Sequence, residues 1–590
     1  MNIIKKELLS GNEAIARGAY EGGLKAAAAY PGTPSTEILE NISKYQEVYV
    51  EWSPNEKVAA EVAIGASFAG ARALTSMKHV GVNVAADPLF SFAYTGVNGG
   101  FVLISADDPG CHSSQNEQDN RYYAKFMKII LVEPSDSQEA KDFTKNAFDM
   151  SEQFDMPVMV RTTTRISHSK GMVTLEDRKE IPLKPYKQNV QKYVVMPAQA
   201  RRLRVTLEER LEKAGEFSEI FPGNKIEGNG KEFAIITSGV GANYAREALG
   251  DRATYLKLGM TFPLPKKMVT EFIEKHKTVY VIEEGEPFLE EQIKALGLNV
   301  IGKELFPNMG ELTATMIREI LLNEPAKKNQ DLFRAEDTPI RPPVLCPGCP
   351  HRGVYRVIRR IKNATDAIVT GDIGCYTLGV LAPLNALETC ICMGASVSAA
   401  IGFKQMMPDR KVIATIGDST FLHSGVTGLM DAVYNKAAIT LIILDNSITG
   451  MTGHQQNPST GFTIRNEPTY KVDLEQMVRA CGVQHVFKAK AYDFKGVEAA
   501  IEKAIGINDV TVVITEQPCV LIEKKKEIVT CQINSENCQD CQVCLRLGCP
   551  AISKQGDGTI AIDQTMCNGC SLCIQVCNFD AIERVGGTNE

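Results

Sequence analysis

Two runs of cysteine near the end of the chain have the spacing of metal-cluster ligands: Cys538-x2-Cys541-x2-Cys544-x4-Cys549-Pro550 and Cys567-x2-Cys570-x2-Cys573-x3-Cys577. Thiolates at i, i+3 and i+6 on an irregular loop can surround one iron–sulfur cubane, and a fourth beyond a short helical turn reaches the neighbouring one. The expected ligation is therefore crossed, with Cys538, Cys541, Cys544 and Cys577 on one 4Fe-4S cluster and Cys567, Cys570, Cys573 and Cys549 on the other. Zinc is the alternative, since paired CxxC elements also bind it. Three even steps plus a remote fourth, given twice, favour iron and sulfur. Two such clusters form an electron wire, and the electrons must enter from elsewhere in the chain.

The stretch VIATIGDSTFLHSGVTGLMDAVYNKAAITLIILDNSITG (412–450) is a candidate source. An apolar strand ends in Gly417-Asp418-Ser419, a helix follows, and a second apolar strand ends in Asp445-Asn446. Asp418 and Asn446 thus fall at the carboxyl ends of two parallel strands, where open α/β sheets bind ligands. A carboxylate, an amide oxygen and a nearby carbonyl are hard oxygen ligands, suited to octahedral magnesium that also takes diphosphate oxygens. The stretch resembles the diphosphate-binding motif of thiamine diphosphate enzymes. That resemblance implies that Gly417, Asp418, Ser419, Asn446 and Ile448 border the cofactor, and that Asp418, Asn446 and the Ile448 carbonyl hold magnesium. Gly-Asp-Ser alone is also a common turn; the strand–helix–strand setting argues for more. Thiamine diphosphate further needs a carboxylic acid beside its aminopyrimidine. SPNEKVAAEVAIGASFAG (53–70) offers Glu56, just inside a helix start marked by Ser53, Pro54 and Asn55. A first-turn glutamate can equally serve only to complement the helix dipole, and Glu61 is its rival deeper in the helix.

Holding these residues takes several domains, about four in a chain of 590 residues at roughly 150 each. With 64 Lys and Arg against 71 Asp and Glu the net charge is −7, which speaks against nucleic acid as the main partner. Apolar runs such as AAITLIIL (437–444) are far short of a membrane span and the start carries no secretion signal, so a cytoplasmic protein with reduced cysteines is expected. The layout reads as α/β. A first parallel-sheet domain (1–175) has strands FVLISAD (101–107) and KIILVEP (128–134), and EDRKEIPLKPYKQNVQKY (176–193) reads as a polar linker. A second α/β domain (195–325) has strands FAIITSG (233–239) and TVYVIEE (278–284), and EPAKKNQDLFRAEDTPIRPP (324–343) is a break. The third domain spans 344–528, where EKKKE (523–527) leads into the cluster domain, 529–590. EVAIGASFAGARALTSMK (61–78) and MGASVSAAIGFKQMMPDRKVIATIG (393–417) both place a small-residue helix before a strand.

The tail is similar to bacterial-type ferredoxins, departing from them by an extra residue before Cys549 and by Asn578 where proline is usual. Together with YPGTPSTEILE (30–40), Glu56 and GASFAG, the thiamine motif and CPGC (346–349), it resembles the 2-oxoacid:ferredoxin oxidoreductases, above all the alpha (large) subunits of the indolepyruvate type, over essentially the full chain. The resemblance implies two thiamine-diphosphate-binding folds, a transketolase C-terminal-like domain at 195–325 and a small bacterial-ferredoxin-like α+β domain. It implies oxidative decarboxylation of arylpyruvates, indolepyruvate among them, with coenzyme A to aryl-acetyl-CoA and CO2, the electrons passing to ferredoxin. It places Thr33 by the cofactor and substrate, and it assigns the remaining catalytic domain to a separate small (beta) subunit in a heterodimer or heterotetramer. It also implies a third 4Fe-4S cluster near thiamine on Cys346, Cys349, Cys375 and Cys519, with Cys531 competing for the fourth place and zinc the alternative metal. Oxidation of another 2-oxoacid, non-oxidative decarboxylation and pure electron transfer are the rival readings. Cys390, Cys392 and Cys481 are expected to pack as small apolar residues, and Cys111 to be a surface thiol. His423 and His454 should border the active site, His79 and His112 a pocket of the first domain, and His276 and His485 the surface.

Overall fold

The computed structural model describes residues 5–324, 342–523 and 529–586, so most of the break at 324–343 and of EKKKE (523–527) lies outside the described residues. The chain divides into two compact units, Met1–Phe333 and Arg334–Glu590. Among the described residues no helix is long and apolar enough to cross a membrane.

The strands of the first unit are β1 (Lys6–Ser10), β2 (Ala26–Ala29), β3 (Tyr49–Trp52), β4 (Ala73–Lys78), β5 (Phe101–Asp107), β6 (Ile130–Val132), β7 (Val158–Thr163), β8 (Lys170–Thr174), β9 (Lys225–Glu227), β10 (Phe233–Ser238), β11 (Ala253–Leu258), β12 (Met260–Phe262) and β13 (Tyr280–Ile282). The larger sheet runs β12-β6-β7-β5-β4-β2-β3, parallel except for β12. Its inner strands are buried on both faces, which is why β5 reads as an unbroken apolar run rather than an alternation. A second sheet runs β13-β10-β11-β9, with only β9 antiparallel. The expected boundary between the two α/β domains is crossed by β12, which lies within 195–325 yet pairs with β6. An uncovered β6 would leave its backbone donors and acceptors open at the sheet edge. Nor does 176–193 hang free: the Lys179 and Lys184 amides donate to the Glu21 and Gly70 carbonyls, and Arg178 donates to the Leu24 carbonyl. Gly70 permits that contact, because a Cβ there would sit 1.9 Å from the Lys184 carbonyl oxygen.

The second unit holds β14 (Ile368–Thr370), β15 (Val412–Gly417), β16 (Thr440–Asp445), β17 (His485–Lys490) and β18 (Thr511–Glu516), all parallel, in the order β14-β15-β16-β18-β17. Alternate residues feed cores on opposite faces: Ile413, Ile442 and Val513 on one, Ala414, Ile443 and Val512 on the other. Beyond it two small antiparallel pairs form, β19 (Thr530–Ile533) with β22 (Ile582–Val585) and β20 (Ile552–Lys554) with β21 (Ile560–Ile562). Single 3-10 turns at Cys544–Leu547 and Ile574–Val576 stand between each cysteine triplet and its following cysteine. The tail's apolar core of Leu547, Ile552, Ile560, Leu572 and Ile582 is small, and a core of that size calls for further cross-links such as bound metal.

Candidate functional site

β15 and β16 run parallel with Gly417 level with Leu444, so Asp418 and Asp445 emerge together at the sheet's carboxyl edge. The chain coils at once after Gly417, through Asp418–Thr420 and a π-turn at Phe421–Gly425, which keeps Asp418 buried beneath the first helical residues. Ser459 donates to Asp418 Oδ2 at 3.0 Å and is itself fixed by Asn457 Oδ1 at 2.6 Å. One terminal atom of the Asn446 amide lies 2.9 Å from the Ile448 carbonyl oxygen and 3.1 Å from Asp418 Oδ1. With nitrogen there, the amide would make two hydrogen bonds; with oxygen there, three hard oxygens converge. Octahedral magnesium, with Mg–O near 2.1 Å, sets neighbouring ligand oxygens about 3 Å apart, so the spacing fits that ion. Burial pushes the Asp418 carboxyl up to about 7 and the Asp445 carboxylate adds to this, against hydrogen bonds from Ser419, Ser459 and Asn457. Two acids raised by burial, Asp418 further by Asp445 and Asp445 further by Glu516, are suited to a cation that neutralises them. Thr449 completes the floor, donating to Ser419 Oγ at 2.9 Å.

Cysteines border this pocket. A Cβ placed on Gly450 would lie 3.5 Å from Cys375 Sγ and 3.6 Å from Asn446 Nδ2. The Cys519 amide donates to the Asn446 carbonyl at 2.9 Å. Cys346 and Cys349 flank the turn that opens the helix Pro350–Thr365, and the charges of these thiols are felt mutually: Cys349 by Cys375 and Cys346, Cys375 by Cys519 and Cys346, Cys519 by Cys346 and Asp418. Burial pushes the Cys349 thiol up to about 12 and Cys375 up to about 11, so they ionise only with a cation beside them, as bound iron would supply. Asp372, which the sequence reading missed, fixes the Cys375 loop by accepting from the amides of Ile373, Gly394 and Ser396. Cys531 does not join this group: it is buried in β19, where its amide donates to Cys567 Sγ at 3.2 Å.

In the tail, Cys549, Cys567, Cys570 and Cys573 line one cavity, together with Cys531, Pro347 and Gly348. Cys538, Cys541, Cys544 and Cys577 line another. The structure thus groups the cysteines in the crossed sets, and all of them are free thiols. The CPGC loop meets the first cavity directly, since Asn568 donates to the Pro347 carbonyl at 2.9 Å and Tyr492 to the Gly348 carbonyl at 2.6 Å.

In the first unit the carboxyl ends of neighbouring β3, β2 and β4 carry Glu56, Thr33 and Lys78. Asn55 caps the helix Glu56–Phe68 by accepting from the Val58 amide, and Glu56, its first residue, is buried. Its side chain lies over Gly81, where a Cβ would be 2.8 Å from Glu56 Cγ. Glu61 instead is exposed and paired with Lys57. Thr33 is half-buried beside Gly32, whose own Cβ would sit 3.2 Å from Lys78 Cβ. Lys78, also missed, is buried and donates to the Ser113 carbonyl; burial holds it below the usual lysine range against the pull of Asp108, Cys111 and Glu56. Its signal was a lysine closing a buried, otherwise uncharged strand.

The other expectations divide. His423 is buried against Ser424 Oγ and His454 is half-buried in the loop after β16. His79 is fully buried with Nε2 on the Asn116 carbonyl, and His112 pairs with Glu311 at the surface. His276 is half-buried on the Phe272 carbonyl, and His485 faces Asp509. Cys111 is exposed and Cys481 packs against the core, but Cys390 and Cys392 are exposed rather than packed, because they lie on the irregular segment leading to the Gly394 turn.

Residues 17–209 match the family described as pyruvate flavodoxin/ferredoxin oxidoreductase, thiamine diP-bdg, and residues 372–515 match the thiamine pyrophosphate enzyme, C-terminal TPP binding domain. These define the class, a thiamine diphosphate-dependent 2-oxoacid oxidoreductase. Indolepyruvate oxidoreductase subunit IorA of Archaeoglobus fulgidus is 44% identical over 98% of this chain and 97% of its own, and the protein of the same name from Pyrococcus horikoshii is 41% identical over the same shares. The chain belongs to the family of these IorA subunits. A solved 2-oxoglutarate:ferredoxin oxidoreductase from Magnetococcus marinus matches 54% of this chain and 65% of its own at 18% identity, with a TM-score of 0.45.

Proposed function

We propose that the chain is the thiamine- and cluster-bearing subunit of an enzyme that oxidatively decarboxylates arylpyruvates, indolepyruvate among them, with coenzyme A, and passes the electrons to ferredoxin. The observation that carries this is the convergence of Asp418, Asn446 and the Ile448 carbonyl next to Cys375 and Cys519. Bound thiamine diphosphate supplies the nucleophilic carbon and electron sink that 2-oxoacid decarboxylation needs. Asp418, Asn446 and Ile448 hold the magnesium of its diphosphate, flanked by Gly417 and Ser419. Glu56, buried on Gly81, shares a proton with the aminopyrimidine, and Thr33 lies toward the substrate. Cys346, Cys349, Cys375 and Cys519 hold a 4Fe-4S cluster that receives electrons singly. Cys549, Cys567, Cys570 and Cys573, in a cavity that shares Pro347 and Gly348 with the CPGC loop, would hold a second cluster, and Cys538, Cys541, Cys544 and Cys577 a third, which would supply one-electron carriers toward ferredoxin. A division into domains 1–175, 195–325, 344–528 and 529–590 suits these roles, and a cytoplasmic setting suits the free cysteines. The partner is the small subunit, which closes the site against water.

The test is anaerobic co-expression with the small subunit, followed by assay of thiamine diphosphate, magnesium, iron and sulfide, and of coenzyme A-dependent ferredoxin reduction. Arylpyruvates should be preferred and the lone chain should be nearly inactive. Thiamine without iron would favour a non-oxidative decarboxylase, and iron without thiamine an electron carrier.

A further inference from the structure

Arg352 lies in the first turn of the helix Pro350–Thr365, directly after CPGC, and is only 2% exposed. Its guanidinium joins two cysteine-bearing segments. Nη2 donates to the carbonyls of Leu345 and Cys346 on one side, and Nη1 to those of Leu547 and Gly548 on the other, just before Cys549. Nε is buried with no partner, and among the described residues no carboxylate is within ion-pair reach. Burial lowers its basicity, and the groups that oppose this are the thiols of Cys549, Cys349, Cys570 and Cys346, two from each neighbouring set. An arginine stays charged even so. A buried cation satisfied only by carbonyl dipoles is costly, and it becomes less so once anionic thiolate-bound iron stands on both sides.

We propose that Arg352 is the shared fixed counter-charge of two iron–sulfur clusters, that of Cys346, Cys349, Cys375 and Cys519 and that of Cys549, Cys567, Cys570 and Cys573. It rests on the cluster assignments of the function proposed above. Each cluster accepts one electron from substrate oxidation and hands it on toward ferredoxin; no proton moves, and the extra negative charge of the reduced cluster is offset by the guanidinium. Arg352 therefore raises the reduction potential of both, which favours the first transfer out of the thiamine site and leaves the step between the two clusters unchanged. It is a positioning residue that touches no substrate. None of the four thiols felt by Arg352 belongs to the Cys538, Cys541, Cys544 and Cys577 set, whose cluster serves as an internal control.

The experiment is a redox titration, followed by electron paramagnetic resonance, of the anaerobic holoenzyme and its Arg352→Met, Arg352→Gln and Arg352→Lys variants, with iron and sulfide assayed in each. In the Met and Gln variants the two flanking clusters should shift to more negative potential while the remote cluster stays in place, and Lys should lie nearer the wild type. If Met and Gln lose iron from these two sites but Lys keeps it, the charge is required and the proposal stands. Unshifted potentials in a fully loaded Met or Gln variant would overturn it, as would equal shifts of all three clusters, or loss of iron in all three variants. Wild-type enzyme that holds no iron and sulfide would overturn the cluster assignments themselves and this proposal with them.

Discussion

Buried guanidinium groups are treated in opposite ways in the two units. In the first, Arg121 is held by Asp119 and by Glu283 at 2.7 Å, and Arg161 by Asp107 and Glu133, each at 2.9 Å. These carboxylates tie β5, β6 and β7 to the segment after β13, so the two sheets of that unit are joined by ion pairs. In the second unit the polar partners of Arg352 among the described residues are backbone carbonyls, with thiols nearby. A guanidinium already matched by carboxylates is a structural tie whose field is spent. One satisfied by carbonyls retains its field for an anion that arrives later, so the first unit's charges should respond to unfolding experiments and the second's to redox experiments.

The largest effects are expected at the residues assigned to the cofactor, Asp418 of the second unit and Glu56 of the first. Asp418→Ala should abolish thiamine diphosphate retention and lower turnover by more than the roughly 10–100-fold typical of outer-shell changes at metal sites, with tail iron unaltered. Retention of the cofactor by that variant would remove Asp418 from the site. Glu56→Gln should still bind thiamine but lose about 100- to 10,000-fold in turnover, the range for a lost proton-transfer group. Exposed Glu61→Gln should be near wild type, and the reverse ranking of these two variants would move the assignment.

Stability effects come next and should be confined to the first unit. Arg121→Met leaves Asp119 and Glu283 buried without their cation and should cost about 3–5 kcal/mol in denaturant unfolding; a loss below about 1 kcal/mol would erase the contrast between the units. Glu284 gives the smallest and most diagnostic change. Burial raises its carboxyl to about 7 from an ordinary 4.5, opposed by the Leu312 amide, and Oε2 has no hydrogen-bond partner. The folded chain therefore keeps a proton that the unfolded chain releases between those values. The stability this contributes is full below about pH 4.5 and is lost as pH rises through about 7, at most about 3 kcal/mol. Glu284→Gln should flatten that slope and be the more stable form at pH 8; an unchanged slope would assign the pH dependence elsewhere.

The strands that position the site were legible because a parallel strand buried on both faces must be continuously apolar, as in Phe101–Asp107 and Val412–Gly417. That each cysteine triplet shares a cavity with the other run's last cysteine followed from spacing, since the turns at Cys544–Leu547 and Ile574–Val576 are local. What depends on distant partners was not. β12 joins β6 across the expected boundary, the polar segment at 176–193 is held by backbone bonds to Glu21 and Gly70, and Cys531 sits with Cys567, 36 residues on, through its amide. Arg352, Asp372 and Lys78 carry no spacing signature, because each is defined by the carbonyls or amides that surround it after folding.

The central claim, that this chain couples a thiamine site to its own iron–sulfur clusters, is tested most directly by adding indolepyruvate and coenzyme A to the anaerobic two-subunit enzyme and recording electron paramagnetic resonance. Wild-type enzyme should show reduced clusters on substrate addition, while Asp418→Ala should show none until a chemical reductant is added. Clusters that stay oxidised with substrate in enzyme fully loaded with thiamine and iron, or that are reduced equally in the Asp418→Ala variant, would contradict it.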